Sequence, residues 1–520
     1  MEIRFVVRRF APRFVPSALP LVLASLAFLF ASSRLIHATL VSVNSDSLYL
    51  AGLYRDIFVD GVSIRHWTLQ QAPSLFPDLP LFFLLRAITG NAVLATGAYC
   101  AAQLLFGAAL VAMLAMDLGF ERPWRAWLAA LLAMSTLAYL TSFGDFLHAF
   151  FLPSCHGMCV WVGLGCFLLI ERQLKRRRLN LWSLSGVFVL SSLTLASDRL
   201  YLLQVVAPLG AALCFAAFIA RSNRALLALY AAALGLSVIA AYFVELLPRA
   251  IGMKVPPSPP ELVLHWQRIR DMVGKLPLPD DRTVQWLNLA LLVVSLVVGL
   301  AVVAAPILGR GTPRAGLGQR RHFAASAFVL TMVITFFGVG FSGAVWEVWC
   351  ARYLWPLFPL PYVVVALWLA LSRRLSSHIV VPAIAVVLIA WAGAPRFSKT
   401  QAAAFADSVV YPTQVACIDR VASQHGARYG YADYWHARKT TEMSKVGIHV
   451  LPVTPAFRPN DWIGNMAWFE HVATIHSPFL VLTDRITTGH VRDVLGPPLH
   501  VETCPEEQVW IYADPPRARP

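Results

Sequence analysis

Apolar runs of roughly 20 residues, the length that crosses a hydrocarbon core, recur along this chain, and short turns rich in arginine separate them. Only 14% of the residues are charged, against roughly a quarter in a soluble protein. One water-soluble core is therefore excluded, and the fold class read from the sequence is an α-helical polytopic membrane protein. The net charge of +15 would suit a nucleic-acid partner if it lined a groove interleaved with aromatics. It is instead gathered between the apolar runs, at Arg8, Arg9 and Arg13, at Arg122 and Arg125, at Arg172 to Arg178, at Arg320 and Arg321, and at Arg373 and Arg374. Such clusters mark cytoplasmic turns, so the excess charge reports topology and no nucleic acid is expected.

On this reading the first span covers 17–36 and follows a basic N-terminus. Ala31-Ser32-Ser33 also fits a cleavage site, but an uncleaved anchor is preferred. A polar loop follows at 37–92, in which Leu48, Leu50, Leu53, Tyr54 and Ile57 recur at helical spacing and predict an amphipathic helix on the membrane surface. A short interfacial or re-entrant piece at 79–89 and a span at 93–116 come next. Further spans are predicted at 125–142, 150–170, 182–197, 200–220 and 225–247, and, after a polar loop at 248–283, at 286–308, 323–341, 354–372 and 379–395. That makes about eleven spans, so a cytoplasmic N-terminus puts the C-terminus outside.

The membrane domain is thus 1–395, and 396–520 reads as a small extracytoplasmic α/β domain. Helices at 411–424, 434–445 and 486–494 alternate there with strands at 428–432, 448–453, 479–483 and 508–512. It carries no glycine-rich phosphate fingerprint, P-loop or HExxH motif. Cys417 and Cys504 either pair, if the domain is extracytoplasmic, or are unrelated buried thiols; the sequence leaves both open.

Sidedness gathers the ionisable residues on the face opposite the arginine turns: Asp46, Asp56, Asp60, His66 and Asp78, then Asp145 and His148, Asp198 and Arg199, and Glu347, Arg352 and Tyr353. Ionisable groups at membrane depth are costly and usually line a cavity or pathway. Carboxylates with arginines suit a reaction on an anionic, membrane-borne substrate, with arginine on the phosphate oxygens and a carboxylate taking a proton. Each residue also has a plainer reading. Asp46 can cap the loop helix, Asp145 can be an ordinary loop acid, and Arg352 can snorkel beside Trp346, Trp349 and Trp355. His156 between Cys155 and Cys159 lacks the ligand count of a zinc site and reads as packing. Asp433-Tyr434-Trp435-His436-Ala437-Arg438 and Asn460-Asp461-Trp462 stand out in the terminal domain, where a structural role for the tryptophans is favoured over a sugar-binding face.

Two short motifs carry a resemblance. Ser45-Asp46-Ser47-Leu48-Tyr49 and Arg352-Tyr353-Leu354-Trp355-Pro356-Leu357-Phe358-Pro359, in this order and on this side, resemble the GT-C fold of lipid-linked-sugar glycosyltransferases, in particular the protein O-mannosyltransferase and aminoarabinose-transferase group. Those families place acids in the first extracytoplasmic loop, often as a pair before a tyrosine. Asp46 stands at the second acidic position, and Ser45 replaces the first.

The resemblance implies a bacterial inner-membrane enzyme that moves a sugar, with inversion, from a polyprenyl-phosphate donor to a lipid, glycan or protein acceptor. In that role Asp46 is the base, Asp145 a helper or metal ligand, and Arg352 and Arg199 phosphate contacts. Tyr49, Asp78, His148, Asp198 and Tyr353 complete the expected substrate site. A divalent cation stays open, since some relatives need one and others do not. The other classes weighed are a lipid or glycan transporter or flippase, for which no inverted repeat is evident, an O-antigen polymerase or ligase type enzyme, which the basic loop at 248–283 keeps open, and a noncatalytic envelope assembly factor.

Overall fold

The structure is a computed structural model that describes residues 3–117, 122–142, 148–219, 223–256, 282–307, 317–341, short pieces between 353 and 364, and 409–514. The expected spans at 354–372 and 379–395 therefore lie mostly or wholly outside the described residues, as do Asp145, Arg352 and most of the 248–283 loop.

Helices build the membrane part. They are α1 (Ile3–Val41), α2 (Tyr49–Phe58), α3 (Asp78–Thr89), α4 (Ala92–Asp117), α5 (Pro123–Thr141), α6 (Gly157–Arg176), α7 (Leu181–Ser197), α8 (Ala207–Ile219), α9 (Arg224–Ala250), α10 (Arg282–Ile307) and α11 (Leu317–Phe341). Among the described residues, six segments are long and apolar enough to cross a membrane: Pro20–Val41, Ala92–Asp117, Gly157–Arg176, Leu202–Ile219, Arg224–Ala250 and His322–Phe341. Leu181–Ser197 is a shorter apolar helix. Small residues let these helices approach closely. A Cβ on Gly107 of α4 would stand 2.8 Å from Met134 of α5 and 3.0 Å from Trp161 of α6.

Two predictions change in detail. The first helix runs on to Val41, past the expected end at 36. The expected span 150–170 is broken: a 3-10 turn at His148–Phe151 precedes α6, which starts only at Gly157. Ser154 and His156 between them take left-handed backbone, with φ of 65° and 69°. Apolar composition alone does not report such a corner. The predicted surface helix is α2, and the piece at 79–89 is α3, whose 12 residues cover about 18 Å, too little to span.

The C-terminal domain is the expected α/β layer. Its sheet has the order β3-β2-β5-β7-β6, from β2 (Tyr429–Ala432), β3 (His449–Pro452), β5 (Phe479–Leu482), β6 (His500–Cys504) and β7 (Glu507–Tyr512). Strands β2, β3 and β5 run parallel and β7 antiparallel to β5. Helices α12 (Thr413–His425), α13 (Tyr434–Met443), α14 (Ala467–Ala473) and α15 (Thr488–Leu495) complete it. Of the two readings of Cys417 and Cys504, pairing is observed, with Cα atoms 5.8 Å apart.

The first loop and this domain share a small antiparallel ladder, β1 (Trp67–Thr68) on β4 (Gly464–Asn465). Lys254 pairs with the other side of β1 through Leu69 N–H to Lys254 O (2.8 Å) and Lys254 N–H to Trp67 O (2.8 Å). The loop is therefore held between the chain after α9 and the terminal domain.

Candidate functional site

The turn that carries Asp46 is shaped by its own side chains. Asn44 Oδ1 accepts from the Ser47 N–H (3.1 Å), and Ser47 Oγ accepts from the Asn44 N–H (2.9 Å). The C-terminal domain then closes on it. Ser45 Oγ donates to the carbonyl oxygen of Tyr434 (2.6 Å) and lies 3.0 Å from that of Trp435. Arg438 Nη1 donates to Ser45 O (3.2 Å), Nη2 donates to Ile463 O, and the guanidinium lies 5.6 Å from the centre of the Trp67 ring. The Tyr434 hydroxyl donates to Asp46 Oδ1 (2.6 Å). No described residue donates to the second oxygen, Oδ2.

These contacts suit a serine at position 45. Its side chain is fully buried against two carbonyl oxygens, where a hydroxyl can donate and an ionised carboxylate would be repelled.

Asp56 is the second tie between loop and domain. It is buried and accepts from Trp67 Nε1 (2.7 Å), Asn465 Nδ2 (2.7 Å) and Trp468 Nε1 (2.9 Å). Burial raises its carboxyl above the usual range, against the pull of these three donors. Beside it lies an interdomain cavity of about 50 Å³, lined by Arg55, Trp67, Arg438, Glu442, His449 and Trp468 among others. At that size it holds a few water molecules. Glu442 Oε1 and His449 Nδ1 are buried there without a hydrogen-bond partner among the described residues. Burial raises the Glu442 carboxyl and lowers the His449 imidazole well below 6.5.

A second polar cluster lies where the loop meets α6 and α7. Main-chain N–H groups of Ser74 and Phe76 donate to Ser197 O (3.1 Å) and Ser197 Oγ (2.7 Å), docking the loop on the end of α7. This brings Asp78 beside Asp198. Asp78 accepts from the Tyr99 hydroxyl (2.5 Å) and the Ser154 N–H (3.2 Å). Burial pushes its carboxyl up to about 6, helped by the charge of Asp198.

Asp198 accepts from the Leu200 N–H (3.0 Å), from Cys159 Sγ (3.1 Å) and from His156 Nδ1 (2.6 Å). Burial works to raise its carboxyl, but attraction to His156 and these donors outweigh it and hold it below the usual range. Gly157 permits the corner that places His156. A Cβ there would lie 1.8 Å from Phe150 O.

The His156 ring meets the edge of Tyr353, with centroids 5.2 Å apart. The Tyr353 carbonyl accepts from Gln204 Nε2 (2.9 Å), and Gln204 lines an apolar cavity of about 310 Å³. Val160, Gly163, Phe167, Phe328 and Pro356 are among its walls. Gln204 Oε1 is buried without a partner among the described residues. A polar cluster is thus joined, through Tyr353 and Gln204, to an apolar hole between helices.

The structure gathers some expected site residues and separates others. Asp78, Asp198 and Tyr353 converge through His156. Tyr49 stands between the two clusters: it is fully buried, its hydroxyl donates to Pro73 O (2.9 Å), and its environment includes both Arg438 and Asp78. Asp46 faces the terminal domain instead. Arg199 turns to Glu245, which Arg249 also approaches at 3.6 Å. His148 is buried at the start of its 3-10 turn. Asp145 and Arg352 lie outside the described residues.

The structure joins Tyr99 to Asp78 and His156 to Asp198, two pairings that the sequence does not offer. A tyrosine inside an apolar run and a histidine flanked by cysteines give no local signal of their partners. Among the described residues, no group of three or more His, Cys, Asp and Glu side chains could hold a metal ion. No protein family, curated protein or solved structure matches the chain.

Proposed function

We propose that this chain is a glycosyltransferase of a bacterial inner membrane. It would take a sugar from a polyprenyl-phosphate donor and work on the outer face, with about eleven spans and its C-terminal domain outside. The sugar and the prenyl phosphate come from the resemblance of the Asp46 and Arg352 motifs. One observation carries the reading to a site: the Asp78–His156–Asp198 cluster is joined to an apolar cavity of about 310 Å³. A lipid tail needs such an apolar place, and the size lies in the range of ligand pockets. The Cys417–Cys504 bond supports an oxidising compartment for the terminal domain.

Hydrogen bonding separates the carboxylates by role. Asp78 and Asp198 each accept several internal donors, so they form a fixed polar wall. Asp46 keeps Oδ2 for a proton. In the reaction the acceptor oxygen or nitrogen attacks the anomeric carbon and gives its proton to Asp46 Oδ2. The bond from that carbon to the phosphate oxygen breaks with its electron pair, and polyprenyl phosphate leaves from the opposite side. Arg352 is the cation proposed for the leaving phosphate, and Arg199, which Glu245 holds in this structure, the second.

The test is turnover of radiolabelled undecaprenyl-phosphate sugars by the full chain in nanodiscs. Wild type is expected to transfer or hydrolyse one of them, and Asp46→Asn to lose roughly 10²–10⁴-fold. Absence of turnover across the donor series, or an Asp46→Asn variant as fast as wild type, would overturn the assignment.

The Asp78–His156–Asp198 cluster favours one other reading, since buried acid–histidine chains also serve proton relays in transporters. A flippase would move intact donor across proteoliposomes without releasing sugar.

A further inference from the structure

We infer that Tyr434 is a positioning residue for this reaction: the C-terminal domain, through that one hydroxyl, aims the Asp46 carboxylate. The inference rests on Asp46 being the base. Asp46 is half-buried on a turn, and a short side chain there has rotational freedom that a base must lose before it can act. Among the described residues, Tyr434 is the one partner of its carboxylate, at 2.6 Å, while Gln70 Nε2 donates to its main-chain oxygen (3.2 Å). A phenol donates a single proton, so the bond anchors Oδ1 and leaves Oδ2 as the acceptor.

The tyrosine is itself held in place. It is the first residue of α13, whose start is capped by Asp433 Oδ1 accepting from the Trp435 N–H (2.9 Å). Its ring packs edge-on to Trp435, with centroids 5.1 Å apart. Its carbonyl takes the Ser45 hydroxyl at 2.6 Å, and one turn along the same helix Arg438 donates to the Ser45 carbonyl at 3.2 Å. Helix α13 therefore grips the residue before Asp46 at two points and Asp46 at a third. Three contacts from one rigid element onto two consecutive residues leave the carboxylate little room to turn.

The variant Tyr434→Phe removes the hydroxyl and keeps the ring. With an undecaprenyl-phosphate sugar as donor and the full chain in nanodiscs, kcat is expected to fall about 10–100-fold. The KM for donor should stay within about twofold, because uniform binding is untouched. The double variant Asp46→Asn/Tyr434→Phe should be no slower than Asp46→Asn alone, since a group that acts only through Asp46 has nothing further to lose. A Tyr434→Phe kcat within about twofold of wild type, or losses that multiply in the double variant, would overturn the inference while leaving the proposed function standing.

A readout without sugar separates the opposite failure. The Asp46 carboxylate stretch, isolated as the infrared difference between wild type and Asp46→Asn, should shift in Tyr434→Phe. A missing shift sinks the positioning role even if no donor is ever turned over. A shift with no turnover sinks the glycosyltransferase reading alone.

Discussion

Asp78 is the residue whose environment makes the sharpest demand on pH. Its carboxyl is raised from the ordinary 3.8 to about 6, so the folded chain holds this proton more tightly than the unfolded one. The stabilisation is therefore fully present below 3.8 and is lost as pH rises through about 6. At about 1.4 kcal/mol per pH unit, wild type should lose on the order of 3 kcal/mol relative to Asp78→Asn between pH 4 and 7. Thermal midpoints of both proteins across that range check it, and parallel curves would refute it.

Ser45 gives a second test at this scale. Ser45→Asp puts a carboxylate against two carbonyl oxygens and should cost about 3 kcal/mol or more, read as a lower midpoint and faster proteolysis between loop and domain. Residue identity alone made Asp46, Asp78 and Asp198 visible as costly acids in an apolar chain. It did not show which of them would be saturated by donors, because Tyr99 and Cys159 lie in other helices.

At the scale of elements, periodicity served where one face is buried and one is not. The α2 pattern of Leu50, Leu53 and Tyr54 was legible in this way, whereas the strands Tyr429–Ala432 and Phe479–Leu482 are buried almost throughout and were legible as short apolar and aromatic runs bounded by turns. Strand β6 was not, since His500, Val501 and Thr503 are exposed on the sheet edge and show no alternation. Helix α14, with seven residues, is too short to display a period. The corner before α6 was hidden in the same way, for a run of apolar residues reads alike whether straight or broken.

That corner depends on Gly157, where the carbonyl of Phe150 occupies the place of a side chain. Gly157→Ala should displace the turn and with it His156, since packed backbone does not yield an ångström cheaply. Loss of the His156–Asp198 proton resonance in NMR, with the fold retained by circular dichroism, is the expected outcome.

At the scale of the whole molecule, the terminal domain is tied internally by a disulfide spanning 87 residues. A closed loop of that length corresponds to about 4–5 kcal/mol on a chain-entropy account. Cys504→Ser is therefore expected to lower the unfolding midpoint of this domain first, with helical signal from the membrane part persisting to higher temperature. A single transition in the variant, coincident for both parts, would contradict that order.

Composition and charge placement made the division into helices and terminal domain legible. Its docking onto the first loop was not, because those contacts join residues nearly four hundred positions apart and no local pattern encodes them.

That separation has a consequence for how the protein comes into being. Asp46 emerges early from the ribosome, whereas Tyr434 follows 388 positions later and Trp468 stands 412 beyond Asp56. Until the last part of the chain is made and folded, the carboxylate has no hydroxyl to orient it. On the role proposed for Tyr434, a half-finished chain already in the bilayer would carry Asp46 without the hydroxyl that orients it, and would be a slower enzyme than the finished one.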